Sequence, residues 1–185
     1  MVAVIGIDLG TTNSVLAYID EVGVPRILPN KYGEGLTPSA VCYRDGETYV
    51  GNPAKRLKRS GVPVFTEFKR QMHNNAPLSV GGIEKTPVEL SSLVLRELAD
   101  HAREQLGELT AVTITVPSNF ENAARVNTLE AGRLAGLEVG EPFNEPSAAA
   151  LYYARVERID PGKYYIYDYG GGTWDISYAE IIRTE

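Results

Sequence analysis

One pattern constrains this chain more than any other, because it occurs twice, once near each end. Ile5-Gly6-Ile7-Asp8-Leu9-Gly10-Thr11-Thr12-Asn13 runs into Ser14-Val15-Leu16-Ala17-Tyr18-Ile19. Tyr165-Ile166-Tyr167-Asp168-Tyr169-Gly170-Gly171-Gly172-Thr173-Trp174 runs into Asp175-Ile176-Ser177-Tyr178-Ala179. Each reads as a buried strand ending in aspartate, a Gly/Thr turn, and an alternating strand that returns beside the first. Glycine permits φ > 0 in such a turn and removes the Cβ that would hold a ligand away from the backbone. Successive backbone N–H groups there form an anion-binding concavity. Two such hairpins, each with a carboxylate at the strand tip, imply a phosphate chain clamped from both sides with a divalent metal between.

Charge and composition narrow the partners. The 185 residues carry 24 acidic and 18 basic side chains, a formal net charge of −6, which argues against nucleic acid or an anionic membrane as the main partner. A phosphate held by backbone donors, one lysine and a metal is compatible with that balance. Cys42 is the only cysteine, so neither an internal disulfide nor a cysteine metal site is expected. The chain opens on a strand pattern with no basic leader or cleavage site, and no apolar run approaches the ~20 residues that span a bilayer. A soluble, cytoplasmic protein is expected.

The local patterns predict a three-strand meander over Val2–Ile7, Ser14–Ile19 and Pro25–Leu28, then a loop, a hairpin of Ser39–Tyr43 with Thr48–Val50, and a short solvated helix over Ala54–Arg59. Thr86-Pro87-Val88-Glu89 is a capping box with proline at the first helical position. Leu90, Val94, Leu98, Ala102 and Leu106 recur at helical spacing until Gly107 stops the helix. Ala111–Val116 is a β-branched strand. Ser118 with Glu121 reads as a second capping box, opening a helix to about Gly136. A short segment near Val139–Phe143 precedes a third helix from Glu145 to roughly Glu157. The order matches one lobe of an RNase H-like α/β fold. The C-terminal hairpin lacks most of the layer it should pack on, so the expected organisation is one complete lobe plus the opening hairpin of a second.

Asp8 and Asp168 are candidate Mg²⁺ organisers, since magnesium is usually held through one or two carboxylates, waters and substrate phosphates. Each could equally serve only to cap its own turn. Thr11, Thr12 and Thr173 can donate hydroxyl bonds to phosphate beside Gly10 and Gly170–Gly172. Glu145 at a helix start suits the helix dipole, and alternatively orients a metal-bound or attacking water. Lys69, in Val64-Phe65-Thr66-Glu67-Phe68-Lys69-Arg70, reads locally as a surface lysine. His73 and His101 have no partners at ligand spacing and are assigned to solvated faces.

Taken together, these segments resemble the 70-kDa heat-shock chaperones, the DnaK-like Hsp70 family. The first hairpin resembles that family's first phosphate motif. Thr115-Val116-Pro117-Ser118-Asn119-Phe120, Arg125 and Glu130-Ala131-Gly132-Arg133-Leu134-Ala135-Gly136-Leu137 follow in order. Asn144-Glu145-Pro146-Ser147-Ala148-Ala149-Ala150 and Asp168-Tyr169-Gly170-Gly171-Gly172-Thr173-Trp174-Asp175 complete the match.

The resemblance implies lobe I of an actin-like ATPase fold, a mixed five-stranded sheet flanked by helices with a small α/β insertion. Core residues would be 1–36 and 108–162, the insertion with its return helix 37–107, and the truncated first hairpin of lobe II 163–185. It implies ATP or ADP with Mg²⁺ and K⁺. Asp8 and Asp168 would hold Mg²⁺ through water, and Asp175 with Asp8 would bind the monovalent cation. Gly10, Thr11, Thr12, Asn13, Gly170, Gly171, Gly172 and Thr173 would contact nucleotide phosphates. Lys69, Glu145, Asp168 and Thr173 would be catalytic, which reverses the local reading of Lys69. Pro117 and Arg125 would couple nucleotide state to a peptide-binding domain.

Implied partners are unfolded peptides, a J-domain protein and a nucleotide-exchange factor. Leu36-Thr37-Pro38-Ser39, Tyr169, Trp174 and Pro142-Phe143 depart from the family pattern and mark a divergent paralogue. A sugar or acetate kinase, or a bacterial actin-like filament protein, shares the paired hairpins. No Gly-x4-Gly-Lys-Ser/Thr pattern supports a P-loop enzyme.

Overall fold

The computed structural model describes residues 2–171 and 174–182. In chain order the strands and helices are β1 (Val2–Asp8), β2 (Asn13–Ile19), β3 (Pro25–Ile27), β4 (Thr37–Pro38), β5 (Ala40–Arg44), β6 (Glu47–Val50), α1 (Asn52–Arg59) and β7 (Phe65–Thr66). They continue with β8 (Leu78–Val80), β9 (Ile83–Lys85), α2 (Pro87–Leu106), β10 (Glu108–Val116), α3 (Asn122–Leu134), β11 (Phe143–Asn144), α4 (Glu145–Arg155), β12 (Gly162–Tyr169) and β13 (Trp174–Ile181). The central sheet has the order β11-β10-β1-β2-β3, with β4 added beside β2. β11, β10 and β1 are parallel, and β2 and β3 run antiparallel to their neighbours. This is the mixed five-strand path expected from the sequence.

Strand alternation explains why the sheet has one apolar face. Ile5 and Ile7 of β1, then Leu9, point into the core with Leu16 of β2 and with Val112 and Ile114 of β10. α2 and α3 cover that face through Leu90, Val94, Leu95, Ala99, Ala124 and Ala131. The opposite parity of β1 is open: Val4 is 52% exposed, and Asp8 falls on the same side. β1 is therefore buried on one face, whereas its apolar run alone reads as a strand buried on both.

α2 begins as its sequence requires. Thr86 Oγ1 accepts from Glu89 N at 3.2 Å, Thr86 N donates to Glu89 Oε2 at 2.8 Å, and Gly107 ends the helix at φ 86°. α3 does not begin as expected. Its N-cap is Glu121, with no side-chain cap bond, so the Ser118–Glu121 capping box is absent. Residues 117–120 instead form a turn closed by Phe120 N on Pro117 O at 3.1 Å, which brings Asn119 and Phe120 to the cleft described below. The exit of α3 is a Schellman arrangement: Gly136 has φ 75°, and Leu137 N reaches Gly132 O at 3.1 Å.

α1 starts two residues before Ala54 and is not wholly solvated, since Asn52 and Ala54 are buried. With β5–β7 it forms a satellite built on Ala40, Cys42, Ala54 and Val64. His101 is half-buried with Nε2 3.0 Å from Pro29 O, which corrects its assignment to a solvated face; His73 is exposed.

β12 and β13 form a separate two-stranded sheet. Cross-strand pairs Tyr165–Tyr178, Tyr167–Ile176 and Tyr169–Trp174 share one face, and all six side chains are exposed. The other parity, which includes Asp168 and Asp175, is more buried and turns toward α4 and β1. Among the described residues, no helix is long and apolar enough to cross a membrane.

Two substitutions test these packing assignments by urea unfolding. Thr86→Ala is expected to lower stability by about 1 kcal/mol through loss of the cap. Gly132→Ala would place a Cβ 2.8 Å from Val139 Cγ1 and 3.0 Å from Ile114 Cδ1, and is expected to cost about 1–3 kcal/mol by overpacking α3 against β10.

Candidate functional site

The first glycine turn is fastened from behind. Leu9, fully buried, anchors it immediately after β1 ends at Asp8. Ser39 Oγ donates to Gly10 O at 2.7 Å, Ser39 N donates to Thr12 O at 2.9 Å, and the Ser39 and Ser14 hydroxyls are paired at 3.0 Å. A Cβ on Gly10 would overlap the Asn13 carbonyl. Neither Gly10 nor Gly171 has φ > 0. Of the two reasons for glycine read from the sequence, the left-handed backbone does not apply at these positions; the missing Cβ does, and the groups that approach closely are Asn13 and Thr12.

The second turn meets the first. Thr12 Oγ1 lies 3.4 Å from Gly171 O as a weak donor, and a Cβ on Gly171 would overlap the Thr12 side chain. Gly172 and Thr173 lie outside the described residues. Between the two hairpins opens a cleft of about 600 Å³, within the range of about 300–1,000 Å³ typical of small-molecule sites. It gathers almost every residue the sequence singles out: Asp8, Gly10, Thr11, Thr12 and Asn13 from the first hairpin, Asp168, Gly170, Gly171 and Asp175 from the second, and Lys69 with Glu145 from elsewhere.

Lys69 is not a surface lysine; it is 5% exposed. It sits in a 3-10 turn, Phe68–Gln71. Its Nζ donates to Glu145 Oε1 at 2.7 Å and lies 5.6 Å from the centre of the Phe120 ring. Glu145 is the first residue of α4. Asn144 occupies the N-cap without a side-chain cap bond, and its Oδ1 instead accepts from Arg125 Nη2 at 2.6 Å. The same Arg125 donates through Nε to Phe120 O at 3.0 Å, so one guanidinium ties both walls near the ion pair.

The electrostatics are acidic and partly desolvated. The cleft walls raise the pKa of Asp8 chiefly by desolvation, opposed by Lys69 and by the Thr115 hydroxyl and reinforced by Asp168. Glu145 is raised first by desolvation, held back by Lys69, and pushed further by Asp8 and Asp168. The charge of Asp168 thus bears on both Asp8 and Glu145, and that of Asp8 on Glu145. Among the described residues, no three His, Cys, Asp or Glu side chains converge into a direct metal cage. Facing carboxylates destabilised in their charged forms nevertheless fit a cation held through waters and phosphate oxygens, the usual manner of Mg²⁺.

Several cleft residues carry no individual assignment from the sequence. Thr115 Oγ1 reaches Asp8 Oδ1 at 3.4 Å, and Asn119 Nδ2 donates to Asp175 Oδ1 at 3.3 Å. Phe120 and Arg70 also line the space. Asn119 and Phe120 stand inside a segment already marked by family likeness, and Arg70 adjoins Lys69. Ser39 had no signal beyond its Pro-Ser context, because its work is to hold another loop.

The sequence model of the family described as Hsp70 protein matches residues 4–76 and 71–184 of the chain.

Two measurements test the site. Removing one partner of a buried ion pair leaves an uncompensated charge, so Glu145→Ala is expected to cost on the order of 3 kcal/mol in urea unfolding, with the Lys69→Met/Glu145→Met double variant costing less than the two single changes together. Asp8 has a folded pKa above its unfolded value, so its ionised form costs stability at neutral pH and the cost fades as pH falls through the folded pKa. Asp8→Asn should therefore raise the thermal midpoint at pH 7, with an advantage that shrinks on acidification.

Proposed function

The chain belongs to the Hsp70 family, and on that premise we propose that it is lobe I of a nucleotide-binding domain that hydrolyses ATP to drive cycles of unfolded-peptide binding. In this reading 1–36 with 108–162 is the core subdomain, 37–107 the insertion and its return helix, and 163–185 the opening hairpin of lobe II. The observation that carries the proposal is the convergence of two glycine hairpins, with acidic strand tips Asp8 and Asp168, on the buried Lys69–Glu145 pair. The exposed aromatic face of β12–β13 supports a further layer of a longer protein covering it, since monomers rarely expose large apolar patches.

Gly10, Thr11, Thr12 and Asn13 would hold phosphates from one side, and Gly170, Gly171, Gly172 and Thr173 from the other. Phosphoryl transfer depends on positioning and charge stabilisation. Lys69 would place its ammonium by the terminal phosphate, and Glu145 would hold that ammonium and orient the attacking water. The raised pKa of Glu145 moves it toward the range in which a carboxylate serves as a base near neutrality. Mg²⁺, held through water by Asp8 and Asp168, would neutralise phosphate charge, and K⁺ would use Asp175 with Asp8. A J-domain protein and an exchange factor would be the partners, in the cytoplasm, with neither nucleic acid nor membrane involved.

The full-length protein should hydrolyse Mg·ATP, with Lys69→Ala lowering turnover by about 100-fold or more while nucleotide binding, measured by calorimetry, persists. Residues 1–185 alone should bind nucleotide weakly and turn it over negligibly. Robust magnesium-dependent turnover by 1–185, or unaltered turnover in full-length Lys69→Ala, would overturn the assignment.

A further inference from the structure

We propose that Asn127 of α3 is a positioning residue for Lys69, acting through the main chain of Met72. The turn carrying Lys69 has little internal support. It enters through Glu67 at φ 59°, ψ 17°, a left-handed conformation that non-glycine residues seldom adopt. Within it, Arg70 N reaches Glu67 O at 3.1 Å and Met72 N reaches Lys69 O at 3.2 Å. Single 3-10 turns have poor hydrogen-bond geometry, so tertiary anchors must decide where this one sits.

Met72 is the anchor at its exit. The residue is fully buried, its Sδ accepts from Ser91 Oγ of α2 at 3.6 Å, and its carbonyl accepts from Asn127 Nδ2 at 2.7 Å. α2 thus holds the side chain and α3 holds the main chain. The Met72 carbonyl and N–H flank one Cα, so holding that carbonyl from α3 and the side chain from α2 restrains the N–H that closes onto the Lys69 carbonyl, and with it the backbone of Lys69. The ammonium then falls 2.7 Å from Glu145 Oε1. Nothing in the local pattern of α3 requires asparagine at this half-buried position, and its contact lies 55 residues away in the chain. A buried carbonyl that loses its donor is costly. The turn would respond by opening locally, since segments with few internal bonds open first.

The consequence for hydrolysis rests on the function proposed above; the placement of Lys69 does not, and it is tested without nucleotide. The folded chain is treated with an acylating reagent, and modification of each lysine is followed by mass spectrometry, with exposed Lys55 as internal reference. In the unsubstituted chain Lys69 should react far more slowly than Lys55. Asn127→Ala and the near-isosteric Asn127→Asp should each speed Lys69 relative to Lys55 by about tenfold. Leu109→Ala, which weakens a distant part of the core, should not change that ratio. Asn127→Ser, which keeps a shorter donor, should fall between, and it decides the matter should the other variants fail to fold. A ratio that stays within twofold in the Asn127 variants, or that rises equally in Leu109→Ala, would overturn the assignment.

Discussion

Lys69 and Glu145 are 76 residues apart, and their buried ion pair joins the 3-10 turn after β7 to the start of α4. A lysine ammonium with so little access to water is tolerable only beside a counter-charge. That requirement ties the 3-10 turn to the end of the central sheet where the glycine hairpins converge. The pair also sets the balance in the cleft. Lys69 opposes the upward shifts of both Asp8 and Glu145, and without it the acidic wall would repel itself and any anion.

Around that pair, each element contributes one constraint. Strand parity in β1 sends Ile5 and Ile7 into the core and Asp8 out of it. Ser39 fixes the first turn from behind, and Thr12 bears against Gly171 so that the two turns meet without room for a Cβ. Arg125 spans Phe120 and Asn144, holding two walls of the cleft at a set separation. Donors and carboxylates thus converge on the cleft from five separate stretches of chain, each held in place by packed elements.

Much of this was legible because short-range rules govern it. The Thr86–Glu89 capping box and the Gly107 stop depend on neighbours within a few residues, and they fold as they read; the two hairpins pair as read, but β12, like β1, is buried on one face only. The Ser118–Glu121 box obeyed the same rule and failed. Residues 117–120 serve the cleft as a turn, and tertiary position outweighed a cap of about 1 kcal/mol. The local reading of Lys69 failed for a similar reason: a single charged residue carries no sign of the partner that makes its burial tolerable.

By itself, then, the amino-acid order settled the longer strands and helices and which glycines and acids stand at hairpin tips, because periodicity and turn chemistry are properties of adjacent residues; the short β4, β7, β8 and β9 carry no such signal. Only the tertiary structure decided that Lys69 is buried against Glu145, that Gly10 and Gly171 are needed for contact and not for φ, and that Ser39 and Asn127 brace loops far from them in the chain. Those outcomes depend on distances between residues tens of positions apart, and the chain reveals such distances only once its core has packed.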